Sequence, residues 1–377
     1  MINWHLITGE YPPRLGGVAD YARLVAGGLA AAGDGVNVWT GPSAGPHPDD
    51  PGVAVHHLPD HFGPRALAVL DRALGRSPNH RVLVQYVPQA FGCKAMNLPF
   101  CLWLFARRRR RPLVTFHEVM FPMRRGRPLR HNLLGAVTRL MALLVACSAA
   151  DIFLTAPIWE RVLRIYAGVK GPVSWIPVPS NIPLVEDLAA ARALRRGYAG
   201  EGVLLGHFGT YPPDIKPLLC RLLPTILTDN PALAVLLIGS GSSNLREALL
   251  RAHPEFARRL CATGPLPPQE VSHMLSACDL MLQPYSDGVS TRRTSLMAAI
   301  AHGRPVITNS GITTEQLWAE TGAVALSPSC DLDAMRALVA QVVADPGARA
   351  GLSAKARELY ASRFALRHTI AALRSAA

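Results

Sequence analysis

The chain has 377 residues, long enough for two domains of ordinary size, each with its own core. A hydrophobic content of 49% against 17% charged residues excludes a disordered or fibrous chain. The formal charge is +13, and most of the excess lies in residues 1–180, where 20 Lys and Arg face 10 Asp and Glu; the remainder has 19 against 16. An anionic partner for the first half follows: a membrane surface, a lipid phosphate or nucleic acid.

The seven cysteines are scattered, odd in number and without a CxxC pair. A disulfide framework or zinc site is therefore not expected, and free thiols in a reducing cytoplasm fit better. Met1 to Thr8 reads as a strand without a basic leader, so no signal peptide is expected. Leu133 to Ala150 is the longest apolar run, but it contains Arg139 and reads as a buried helix rather than a membrane span. The expectation is a cytoplasmic protein, soluble or peripheral on the membrane face.

Trp4 to Thr8 is a first strand, followed by a loop with Gly16 and Gly17, a helix from Ala19 to Ala32, and a strand from Val36 to Thr40. This is a βαβ unit. Gly16 and Gly17 stand near the helix start, where a backbone can approach a phosphate or sugar, or simply turn tightly. Val53 to Leu58 and Val82 to Tyr86 are further strands; Ala95 to Arg111 is an apolar helix ending in arginines; Leu113 to Phe116 is a strand. His117 follows at that strand's carboxyl end, where open α/β sheets place their ligands, although a strand-end histidine also serves structure.

Arg107 to Arg111 and Arg124 to Arg130 hold nine arginines in two clusters. Beside the apolar Leu98 to Phe105 they fit an anionic bilayer, or a solvated face after a core helix. Nucleic acid is not expected, since no recognition motif or interleaved aromatic platform is present.

Strands at Ile152 to Thr155 and Val173 to Ile176 lead to the proline-rich connector Pro177 to Pro183, the predicted domain boundary. The βα rhythm then restarts. Strands are expected at Val203 to Phe208, Ala234 to Ile238, Leu260 to Thr263, Leu280 to Gln283 and Pro305 to Thr308. Helices are expected at Pro217 to Leu227, Pro268 to Ala277, Thr294 to His302, Leu317 to Thr321, Ala334 to Val343 and Ala354 to Arg374. No repeat recurs at a fixed period.

The stretch from Asp287 to Val306 carries the most chemistry. A loop bearing Gly288, Ser290 and the pair Arg292-Arg293 runs into a helix at Thr294. A helix N-terminus offers unpaired N–H groups and a positive dipole end, so two guanidinium groups there suit a diphosphate. The other reading is that both arginines pair with carboxylates.

Pro12-Pro-Arg-Leu-Gly-Gly-Val18, Pro177 to Ile182, Cys278-Asp-Leu-Met-Leu-Gln-Pro284 and Ala298-Ala-Ile-Ala-His-Gly-Arg-Pro-Val306 resemble, in order and at the expected spacing, segments of the retaining glycosyltransferases of family 4. The resemblance spans essentially the whole chain. It implies an α/β protein of the GT-B fold, with two Rossmann-like domains facing a cleft: residues 1–180 binding the acceptor, 181–360 binding a nucleotide-sugar, and 361–377 crossing back to the first domain. It implies a hexosyltransferase acting with retention on a lipid-linked or saccharide acceptor, with no metal and no cofactor beyond the donor. By position, Gly16 and Gly17 would approach the donor phosphates and His117 the donor sugar. Lys216 would bind phosphate, and Gly264 to Leu266 would read the base.

This chain also departs from the family. Where the family carries two glutamates eight positions apart, Ser290 and Ala298 stand here, and Thr210 stands where an arginine partners the phosphate lysine. Arg292 and Arg293 are expected to replace the lost positive charge as catalytic groups, with Asp287 or Ser290 taking the ribose. The alternative is a catalytically silent relative that serves as a binding or scaffold partner of an active transferase.

Overall fold

The computed structural model describes all residues except Leu15, Ala44, Pro46, Pro48, 77–79, Arg124, Arg127 and Ala377, and of Arg76 the backbone only. The chain divides into two compact units, Met1–Pro177 with Leu366–Ala377, and Val178–Ala365.

In the first unit the chain alternates β1 (Asn3–Thr8), α1 (Gly17–Ala31), β2 (Gly35–Thr40), β3 (Val53–His57), α2 (Pro64–Arg76), β4 (His80–Tyr86), α3 (Leu98–Ala106), β5 (Leu113–Phe116), α4 (Leu129–Ser148), β6 (Asp151–Leu154), α5 (Ile158–Tyr166) and β7 (Val173–Trp175). The strands form one parallel sheet in the order β3-β2-β1-β4-β5-β6-β7. The order reverses between β1 and β4, so the carboxyl ends of those two strands flank the crevice in which such sheets bind ligands. Beneath it Phe62, Phe91, Phe100, Tyr86 and Phe116 stack as one buried aromatic cluster.

The second unit contains α6 (Leu188–Ala199), β8 (Val203–Phe208), α7 (Lys216–Asp229), β9 (Leu233–Ile238), α8 (Ser242–Ala252), β10 (Leu260–Ala262), α9 (Pro268–Ala277), β11 (Leu280–Gln283), α10 (Thr294–Ala301), β12 (Val306–Asn309), α11 (Leu317–Thr321), β13 (Ala325–Ser327), α12 (Leu332–Ala344) and α13 (Pro346–Leu359). Its parallel sheet runs β10-β9-β8-β11-β12-β13, reversing between β8 and β11. Strands such as β9, Leu-Ala-Val-Leu-Leu-Ile, are buried on both faces, as parallel strands covered by helices must be.

Three expectations about elements change. The apolar helix expected at 95–111 is confined to α3, because Asn97 caps it by accepting the Phe100 N–H at 3.1 Å, and its own amide is held by the Phe91 carbonyl at 2.7 Å. At the other end Arg111 turns left-handed, with φ 51°. The last helix breaks at Ala365: α13 begins at Pro346 under an Asp345 cap, ends in a wide turn, and α14 (Leu366–Ser375) follows separately. The helix expected to be buried, α4, is buried on one side only: Leu129, Leu133 and Leu140 face outward.

The boundary between units falls at Pro177 rather than at residue 180. The Ser180 N–H donates to the Tyr360 hydroxyl at 3.0 Å, which ties the end of the connector to the second unit. In the first unit, α14 packs on α1, where Gly28 leaves no room for a Cβ beside Ile370. Arg81 donates to the carbonyls of Leu373 and Arg374 at the end of α14, and Arg374 pairs with Asp34 at 3.0 Å.

Candidate functional site

Within the second unit, loops at the carboxyl ends of β8, β9 and β10 lock together through their backbones. The Gly209 N–H donates to the Ile238 carbonyl at 3.1 Å. Gly239, with φ 106°, brings its Cα so close that a Cβ would lie 2.4 Å from the Gly209 oxygen, so only glycine fits there. Thr263 accepts the Gly239 N–H and donates to the Gly264 carbonyl, and the buried Ser242 hydroxyl accepts the Gly264 N–H at 2.9 Å. Thr210 is exposed on this rim, and Leu266 is half-buried beyond Gly264. Lys216 opens α7 and makes no ion pair among the described residues. Its loop is tied to the next one, since the Ser286 hydroxyl donates to Asp214 at 2.8 Å.

That next loop, residues 284–293, joins β11 to α10. Asn309 at the end of β12 fixes its start: its side-chain oxygen accepts the Tyr285 N–H and its amide donates to the Tyr285 carbonyl, both at 2.8 Å. Gly288, with φ 90°, lies against Gly311; a Cβ would meet the Gly311 nitrogen at 2.2 Å. Further on, the Thr291 N–H and hydroxyl donate to Glu315, whose carboxylate also accepts the Trp318 indole N–H at 2.8 Å.

The sequence placed two arginines here, and the structure gives both a partner. Arg292 Nη2 donates to Asp287 at 2.7 Å, and Arg293 Nη2 bonds the other carboxylate oxygen. Pairing with a carboxylate, the other reading of the sequence, is therefore the arrangement seen, and Asp287 is not free for a ribose. One carboxylate does not cancel two guanidinium groups, so the loop keeps a net positive charge. Arg293 also lies 4.8 Å from the centre of the buried Tyr285 ring, a cation–π distance. Burial pushes the Tyr285 phenol up to about 12, and its hydroxyl lies 3.0 Å from Ser295 Oγ. Beside them α10 begins at Thr294 with no side-chain cap. Ser290 is fully buried, and its hydroxyl has no partner among the described residues.

In the first unit, Gly16 and Gly17 open α1, again without a side-chain cap. His117 follows β5, with its N–H bonded to the Tyr86 carbonyl at 3.1 Å. Its Nε2 lies 2.8 Å from Gln85 Oε1, and its ring meets Tyr21 of α1 edge-on at 4.8 Å. Burial drives the imidazole down to about 3, so it is neutral at any physiological pH. Sequence reasoning missed Glu10, whose carboxyl oxygen lies 3.2 Å from where a Gly16 Cβ would stand. Burial raises its pKa, Arg14 opposes that shift, and Glu118 reinforces it. Glu118 in turn accepts the Gln89 amide at 2.8 Å. The available signal was position: Glu10 stands two residues beyond β1, at the reversal of strand order. Asn309 and Glu315, which hold the 284–293 loop, had no such signal. Among the described residues, no three His, Cys, Asp or Glu side chains cluster as a metal site.

Two parallel sheets of this order, each with glycine turns at its carboxyl edge, define a two-domain Rossmann-like protein of the GT-B fold. Residues 203–345, within the second unit, match the family model described as "Glycosyl transferases group 1". Sucrose-phosphate synthase from Thermosynechococcus elongatus is similar in structure, with a TM-score of 0.73 at 17% identity, over 99% of this chain and 98% of that one. WaaG, described as a glycosyltransferase involved in lipopolysaccharide biosynthesis, aligns with a TM-score of 0.68 at 14% identity, over 99% and 100%. HepE from Anabaena, solved with UDP-glucose, aligns with a TM-score of 0.65 at 13% identity, over 100% of both chains. No curated protein matches the sequence.

Proposed function

We propose that the protein is a family 4 hexosyltransferase that moves a sugar, with retention and without a metal, from a nucleotide-sugar onto a lipid-linked or saccharide acceptor. The observation that carries this reading is the net-positive Arg292, Arg293 and Asp287 cluster beside the uncapped start of α10, inside the segment that matches group 1 glycosyltransferases. Similar structures hold UDP, UDP-glucose or ADP, which supports a nucleotide-linked donor.

In this reading the diphosphate takes the guanidinium N–H groups over from Asp287, with Lys216 and the Thr294 end of α10 adding charge and dipole. Negative charge grows on the diphosphate as the glycosidic bond breaks, and these fixed groups stabilise it. The turn at Gly264 and Leu266 reads the base, and the Thr210 rim lies next to it. Gly288 gives the loop its turn. Gly16 and Gly17 leave the uncapped start of α1 open to a phosphate. His117, held neutral, offers the sugar a hydrogen bond without placing a second positive charge near an oxocarbenium-like centre. The basic first unit suits a cytoplasmic enzyme working at an anionic membrane face through Arg107–Arg111 and Arg124–Arg130, of which Arg124 and Arg127 lie outside the described residues.

One observation favours a silent binding partner instead. Asp287 already occupies both arginines, while Ser290 and Ala298 stand where the family has glutamates. A thermal-shift screen against UDP, GDP, ADP, TDP and CDP, followed by a donor-hydrolysis assay, separates the two. A single stabilising nucleotide with measurable hydrolysis supports the transferase. No shift from any of the five overturns it in favour of the silent partner.

A further inference from the structure

α4 presents a face to solvent that water alone does not explain. Leu129 is 88% exposed, Leu133 59% and Leu140 45%, and Ala136 and Cys147 are exposed in the same row. These positions recur at helical spacing, so one uncharged stripe runs for about 27 Å along the helix. The opposite side, Gly135, Thr138, Met141, Ala142, Val145 and Ala146, is buried in the unit's core, so α4 cannot leave the unit to cross a bilayer. Beside its first half lies Met123, 46% exposed, against Gly135.

The charges are arranged around this stripe. α4 itself has no acid, and from Ala106 to Ala150 the sequence holds ten arginines and one acid, Glu118. Arg125 and Arg130 are exposed at the N-terminal end of the helix. At its other end the Ala150 N–H bonds the Pro112 carbonyl, which brings the exposed run Arg108–Arg111 there. Arg107 is taken by Asp71, and Arg110 donates to the Leu74 carbonyl, but Arg109 and Arg111 project without a partner among the described residues.

We propose that α4 is an in-plane membrane anchor: it lies flat on an anionic lipid bilayer, with the Leu129, Leu133 and Leu140 row among the acyl chains and arginines at both ends on lipid phosphates. Charge decides the occupant, because a second copy of the chain would bring two arginine-rich faces together. The proposal rests on the membrane-face reading above and assigns it to a helix and a row of side chains.

The test is co-sedimentation of the full chain with vesicles of phosphatidylcholine containing about one-third phosphatidylglycerol, against phosphatidylcholine alone, across a salt series. Binding to the anionic vesicles is expected, falling steeply with salt. Leu133→Gln with Leu140→Gln should weaken it at least tenfold with an unchanged melting temperature, and Arg109→Glu with Arg111→Glu should weaken it and flatten the salt dependence. Undiminished binding by the glutamine pair overturns the proposal, as does equal binding to neutral vesicles. Absent vesicle binding together with a dimer that the glutamine pair disrupts overturns it in favour of a second copy. Nucleotide affinity, measured in parallel without lipid, keeps the two readings apart: if it is absent while vesicle binding persists, the transferase falls and the anchor stands.

Discussion

The Arg293 guanidinium lies 4.8 Å from the centre of the Tyr285 ring, on the loop that leads from β11 to α10. The ring gives the cation a fixed seat, and Asn309 holds the backbone of Tyr285 at both its N–H and its carbonyl. The cation is therefore positioned before any anion arrives, and the ordering cost of binding is reduced.

Removing both cations, Arg292→Ala with Arg293→Ala, should weaken nucleoside diphosphate binding by roughly 3–6 kcal/mol in total, since charge-assisted bonds contribute about 1.5–3 kcal/mol each. Calorimetry measures this directly. Unchanged affinity would place the diphosphate elsewhere.

Asp287 competes with the diphosphate for the same guanidinium groups. Asp287→Asn keeps the shape of the side chain and removes its charge, so affinity for the nucleoside diphosphate should rise about tenfold, or about 1.4 kcal/mol. A fall in affinity would show instead that Asp287 itself touches the nucleotide.

Four buried histidines, His5, His117, His207 and His302, set a pH dependence. Burial lowers His117 to about 3, and His5 and His207 to about 4, from an ordinary 6.5. The unfolded chain takes up these protons below about pH 6.5 while the folded protein does not, so stability is intact above that pH and is lost as pH falls towards 4. Each histidine contributes a slope of about 1.4 kcal/mol per pH unit in that window. Melting temperature should therefore drop between pH 7.5 and pH 5, and His117→Gln should make the drop shallower.

Asp34 is nearly fully buried and accepts the Ile2 N–H at 2.9 Å and the Trp4 indole at 3.1 Å. Burial alone would raise its pKa, but these two donors and Arg374 hold it below the usual carboxylate range. Asp34→Ala leaves two buried donors unmatched and frees Arg374 from β2's leading turn, at a cost of about 2–4 kcal/mol. Urea denaturation followed by circular dichroism should show the loss. A change below about 0.5 kcal/mol, ordinary for a surface site, would contradict the assigned bonds.

All strands but the three-residue β13 were legible in the sequence, because parallel strands buried on both faces read as unbroken Val, Ile and Leu runs between Gly and Pro. The limits of α9, β11 and α11 were read residue for residue. The amphipathic helices α2, α5, α6 and α8 were missed because their polar faces dilute the apolar pattern. At the site, the cations of the 284–293 loop and the histidine after β5 could be seen as candidates from their place beside predicted elements. The Asp287 pairing could not, since it depends on a left-handed turn at Gly288 packed against Gly311, far away along the chain. Glu10 went unnoticed because its neighbour Glu118 reaches it only once β1 and β5 share a sheet.

α14 belongs to the first unit although 188 residues of the second precede it, from Val178 to Ala365. During synthesis the earlier-made unit therefore waits, with the α1 surface around Gly28 uncovered, while the later-made one can close completely. The first half of the chain is the last to finish folding, and a nascent protein halted before residue 366 would present that bare flank to any chaperone at hand.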